Sequence, residues 1–224
     1  MTDELIEALR EGLSARADSG RAPGMQRYMK SEMPFLGVPS AGVDAVVRES
    51  VRRHPIRDRA DLERTVGTLF REATHREEWY AALGLLRRPA SLRLLTPDSI
   101  GLIEKIARRG AWWDVVDSVA KPLTTLLVGH RVDVEPVLRA WMAGDEMWLR
   151  RLTIICQLSL RERTDLTLLT DAIEAAQHER EFFLRKAIGW ALRDHARTDP
   201  DWVREFADTH PLSPLSRREA LKHL

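Results

Sequence analysis

GAWWDVVDSVAKPLTTLLV, residues 110–128, reads as one amphipathic helix opened by tryptophan. Related openings stand on either side, in EEWYAALGLL (77–86), EMWLRRLTII (146–155) and REFFLRKAIGWAL (180–192). The aromatic returns at Trp79, Trp113, Trp148 and Phe183, at intervals of 34, 35 and 35 residues. That period suits stacked helix pairs, none of which can bury its apolar face alone, so the pairs pile up into a curved solenoid with one long concave wall.

The rest of the chain keeps the helical period, and no segment alternates as a strand would. Helices are expected at about 3–17, from Met25 in a short segment, and at 41–53, 58–72, 77–86, 97–108, 112–128, 133–142, 146–160, 166–177, 181–196, 201–210 and 213–223. Pro34, Gly37 and Pro39 in MPFLGVPS break the chain, because proline cannot donate to the helical ladder. Thr96–Pro97 and Ser213–Pro214 each set a hydroxyl before a proline at the first helical position. The expected class is an all-α helical-repeat solenoid.

The 224 residues contain no Gly/Ser-rich or low-complexity linker, which argues for one continuous domain over 1–224. Hydrophobic residues at 44% and charged residues at 31% are ordinary for a globular protein. No apolar run approaches the roughly 20 residues of a membrane span, and MTDELIEALREG is a polar amphipathic start, so a cytoplasmic protein without a membrane partner is expected. The single cysteine, Cys156, lies in LTIICQL and reads as a buried thiol. With 35 Lys+Arg against 34 Asp+Glu the net charge is only +1, so any nucleic-acid surface must concentrate its cations on one face. The seven histidines form no HExxH or Cys/His spacing, which argues against a metal site. Gly-rich phosphate loops and GxSxG are absent from the sequence, which argues against a nucleotide cofactor and a hydrolase triad.

Three constellations could carry chemistry. Trp113 and Asp117 lie one helical turn apart on one face, where an indole beside a carboxylate attracts a cation. Trp148 and Arg151 are also neighbours on one face, and Arg151 aligns with Lys186 of the next repeat, so successive units present a cation at one height. Trp190 follows Lys186 and precedes Arg193 and Arg197 on one stripe, and the terminal SPLSRREALKHL adds Arg217 and Arg218. Each also has a plainer reading: indoles that fill layer interfaces and charges that face solvent.

With these motifs in view, the chain resembles the AlkD-type family of bacterial DNA-alkylation-repair glycosylases, built of HEAT-like repeats. The resemblance runs from YMKSEMPFLGV through WWDVVD and WLRRLTII to FLRKAIGWALRDHARTDP and PLSRREALKH. It implies a monomeric enzyme without cofactor or obligate protein partner, which holds duplex DNA in a concave, locally basic groove. There it cleaves the N-glycosidic bond of N3- or N7-alkylated purines without flipping the base into a deep pocket. It also implies that Trp113, Asp117, Arg151 and Trp190 form the site, with Tyr28 and Lys30 in the family's N-terminal segment.

The chemistry accords with those residue types. A purine alkylated at N3 or N7 is cationic and already a good leaving group, so the oxocarbenium-like sugar is what needs stabilising, a task for Asp117. Trp113 and Trp190 would hold the deoxyribose, and Arg151 the adjacent phosphate. Two other functions use the same features: a noncatalytic DNA-structure-binding relative, and a protein scaffold with tryptophan anchors.

Overall fold

The computed structural model describes residues 2–224, and among them every regular element is helical. The chain divides into two compact units, Met1–Arg109 and Gly110–Leu224.

In the first unit α1 (Thr2–Ser14), α2 (Ala22–Met29), α3 (Ser40–Arg53), α4 (Arg59–Glu72), α5 (Arg76–Leu86), the single turn α6 (Pro89–Leu92) and α7 (Ile100–Gly110) follow one another. Leu5, Leu9 and Leu13 recur every four residues, so α1 buries one stripe against α3, α4 and α5. The expected loop 33–40 is present and has a specific anchor. The carboxylate of Glu77, fully buried at the start of α5, accepts backbone N–H bonds from Leu36, Gly37 and Val38 at 2.8–3.1 Å. Gly37 takes φ +86°, and a Cβ there would lie 2.1 Å from the Asp18 carbonyl oxygen, so only glycine fits this turn. Trp79 is buried by stacking on Phe70, whose carbonyl accepts its indole N–H at 3.1 Å.

The second unit holds α8 (Trp113–Gly129), α9 (Arg131–Ala143), α10 (Met147–Ile155), α11 (Leu166–Ala176), α12 (Phe182–His195), α13 (Pro200–Thr209) and α14 (Pro214–Ala220). Alternate helices form a row, α8 on α10, α10 on α12 and α12 on α14, while α9 and α11 pack on each other and on the row from behind. This is the helix-pair repeat that the aromatic period predicts. Its interlayer core includes Leu123, Leu126, Leu152, Ile155, Ile188 and Leu192, and burying each such side chain contributes roughly 1.5–3 kcal/mol. Polar contacts obey the same period. Thr124 donates to the Cys156 carbonyl 32 residues on, Arg139 to Asp171 32 residues on, and the Ser159 N–H to Asp194 35 residues on.

Several boundaries differ from expectation. The first helix stops at Ser14 and the last at Ala220, each three residues early, and α7 begins at Ile100, three residues after Pro97, which opens a 3-10 turn instead. The helix expected to reach Leu160 stops at Ile155, because the chain turns through Ser159 and Arg161 in left-handed conformations, φ 65° and 55°. The turn α6 was not expected, since four residues carry no readable period. Helix starts follow capping chemistry: Asp165, Asp199 and Ser213 each accept a backbone N–H of the first turn, the last two just before Pro200 and Pro214.

Candidate active site

The second unit brings the central candidates onto adjacent members of the row. Trp113 opens α8, and Asp117 follows one turn later. The repeat aromatic at this point proves to be Trp112 rather than Trp113. Trp112 precedes the helix in extended conformation, φ −152°, and turns its ring onto Trp148 at 6.1 Å and Phe183 at 5.2 Å, which themselves meet at 5.0 Å. Trp112 thus takes a packing role, and Trp113, half-buried like its neighbour, stands one turn before Asp117 on α8. Ala111 just before them is held at φ +32°, a costly angle for a residue with a Cβ.

Arg151 stands on α10 with its side chain only 6% exposed. Its Nε donates to Asp117 Oδ1 at 2.7 Å and its Nη2 to Oδ2 at 2.8 Å, a planar fork that fixes the carboxylate plane. Its Nη1 donates to the Phe183 carbonyl at 2.5 Å, so one guanidinium ties α8, α10 and α12 together. Three of its five N–H donors are thus spent inside the protein, and two are left for the phosphate contact expected from the sequence. At such low exposure the directed hydrogen bonds of both partners offset part of their lost hydration.

On α12 the stripe Lys186, Trp190, Arg193 is present, with Trp190 half-buried. The two cations are not free. Lys186 Nζ lies 3.0 Å from Glu219 Oε1, and Arg193 Nη1 donates to Glu219 Oε2 at 2.7 Å and to the Glu219 carbonyl at 3.0 Å. The hydrogen bond from Lys186, then that from Arg193, hold the Glu219 carboxyl down at about 2. Sequence reasoning missed Glu219, reading its segment SRREALK as basic. The usable signal was its place about one repeat beyond Lys186.

The remaining cations are peripheral. Arg197 is exposed, 3.9 Å from Asp194; Arg217 pairs with Asp208 at 2.6 Å and donates to the Ala207 carbonyl; Arg218 is exposed. Tyr28, 76% exposed, and Lys30, at φ +50° just after α2, belong to the first unit. Burial pushes the Cys156 thiol up to about 12, which keeps it from acting as a thiolate. Among the described residues no three His, Cys, Asp or Glu side chains gather as metal ligands would.

A carboxylate locked in orientation, with an indole one turn before it on its own helix and another two helices along the row, suits the stabilisation of a transient positive charge. The family model described as DNA alkylation repair enzyme matches residues 9–224. A solved structure described as a predicted DNA alkylation repair enzyme from Enterococcus faecalis is 28% identical, with 93% of this chain and 97% of that one covered and a TM-score of 0.84. None of the curated proteins compared with the chain matches it.

Proposed function

The chain belongs to the DNA alkylation repair enzyme family, and from that premise we propose that it is a DNA glycosylase for cationic N3- and N7-alkylated purines in duplex DNA. The observation that carries this reading is the Arg151–Asp117 fork, set in the same helix row as Trp113 and Trp190.

In the proposed reaction the C1′–N bond breaks and the alkylated purine leaves with the bonding pair, which neutralises its charge. Positive charge then develops on the sugar, and Asp117 stabilises it electrostatically. A water oxygen adds to C1′ and loses its proton to solvent, leaving an abasic site. The leaving group is already activated, so the reaction needs no general acid and no metal, and the base can depart without entering a pocket. Trp113 and Trp190 offer π faces to the cationic sugar. Arg151 acts as a positioning residue, since an error of about 1 Å at the carboxylate can cost on the order of a hundredfold in rate.

In this reading the row from α8 to α14 is the DNA-facing wall, and Lys186, Arg193, Arg197, Arg217 and Arg218 are its proposed phosphate contacts; Tyr28 and Lys30 are proposed separately as backbone contacts made by the first unit. Residues 1–224 act as one domain and as a monomer in the cytoplasm; the family match, which crosses the boundary between the two units, supports the first point. No helix among the described residues is long and apolar enough to cross a membrane.

A second reading, a noncatalytic protein that binds DNA structures, is favoured by one observation: both oxygens of Asp117 already accept guanidinium bonds, as a purely structural ion pair would. Release of free N7-methylguanine from methylated duplex, measured in chelator, separates the two. The glycosylase reading expects release above the spontaneous rate with abasic sites in equal number. Binding without release supports the second.

A further inference from the structure

Lys186 and Arg193 are two turns apart on α12 with Trp190 between them, where a phosphate-binding stripe would stand, yet both point to one carboxylate on α14. That carboxylate is placed by backbone packing. A Cβ added at Gly189 would lie 2.4 Å from Glu219 Cβ, so α14 reaches α12 only because residue 189 is glycine. The Ser216 hydroxyl also donates to the Arg185 carbonyl at 2.9 Å. Side-chain exposure is 38% for Lys186 and 23% for Arg193 but 16% for Glu219, so the cations keep a path to solvent while the carboxylate lies behind them.

We propose that Glu219 is a built-in competitor for DNA phosphate, an intramolecular counterion that lowers the hold of Lys186 and Arg193 on undamaged duplex. This rests on the reading that the α12 stripe faces DNA. A cation already compensated by a carboxylate displaces fewer salt ions when a phosphate arrives, and it adds less to affinity and to salt dependence. Intact sites vastly outnumber lesions, so a weaker general grip shortens time lost on intact DNA, while recognition is left to the charged lesion.

The test is the affinity of the full chain for a short undamaged duplex over a salt series. Glu219→Gln keeps the Cβ and Cγ that pack over Gly189, removes the charge and leaves one acceptor oxygen for the two cations. It is expected to bind about fivefold tighter at moderate salt, with a log–log salt slope steeper by about 1. Equal or weaker affinity with an unchanged slope overturns the proposal.

Lys186→Gln/Arg193→Gln gives a check that does not need the Glu219 variant to fold. In the otherwise native protein the double change should flatten the slope by about one unit, because Glu219 already offsets one of the two charges. A loss of about two units, the value for two uncompensated phosphate contacts, overturns the proposal. Native protein with no salt-sensitive duplex binding contradicts the DNA reading itself, and the inference falls with it. Native binding with an unresponsive Glu219→Gln overturns the inference alone.

Discussion

The guanidinium of Arg151 grips the carboxylate of Asp117 across one structural repeat, 34 residues apart, by two parallel bonds of 2.7 and 2.8 Å. A lysine can supply charge at that place but not the fork, nor the third bond to Phe183. Arg151→Lys should therefore keep the fold and the duplex affinity while lowering single-turnover release about 10- to 100-fold. Arg151→Ala leaves a carboxylate and a carbonyl without their partner and should cost about 2–4 kcal/mol in denaturant unfolding. Lost duplex affinity with an intact rate per bound complex would return Arg151 to phosphate binding.

The adjacent tryptophans should separate by role. Trp112→Leu opens the cluster with Trp148 and Phe183 and should destabilise the protein by about 2–4 kcal/mol. Trp113→Leu and Trp190→Leu remove half-buried rings and should leave the melting temperature nearly unchanged. Each should slow release at least about fivefold, the kinetic equivalent of about 1 kcal/mol of cation–π attraction. Equal melting losses for Trp112 and Trp113 would contradict this division.

Gly189→Ala places a methyl 2.4 Å from Glu219 Cβ and 2.9 Å from the Ser216 carbonyl oxygen. Backbone cannot yield cheaply there, so α14 should be pushed off α12, with about 1–3 kcal/mol lost in thermal unfolding. A melting curve that overlays the native one would mean that the two helices are not locked.

Two groups set pH dependence in different windows. Burial holds the His195 imidazole below its ordinary 6.5 against the pull of Asp199 and Asp194. The unfolded chain binds that proton first, so stability is full above pH 6.5 and falls as pH drops from 6.5 toward the lowered value. Denaturation midpoints compared at neutral and mildly acid pH should drop less in His195→Gln. Glu219 is ionised in the fold down to about 2 against an ordinary 4.5, so its contribution is present above 4.5 and fades between 4.5 and about 2. Glu219→Gln should be less acid-sensitive in that range alone.

The all-α repeat class was legible because helical period and repeat period are both properties of one strand of text. The site was legible in part. Trp113 with Asp117, and Trp190 among its cations, are local spacings that any helix brings onto one face. What could not be read were choices made across helices. Of two adjacent tryptophans, the one that precedes the helix packs on Trp148 and Phe183. The partners of Arg151, Lys186 and Arg193 lie 26 to 34 residues away on other helices. The turn at Ser159 and Arg161 escaped for another reason, since left-handed serine and arginine carry no glycine to mark them.

The central claim is that Asp117 stabilises the departing sugar, and single-turnover release of N7-methylguanine by Asp117→Asn tests it most directly, with duplex affinity measured on the same preparation. Asparagine keeps the shape and one acceptor for Arg151 but removes the charge. The account predicts duplex affinity within a few-fold of native and a release rate lower by about 100- to 1,000-fold. Release by Asp117→Asn at the native rate, with the variant folded and bound, would contradict it.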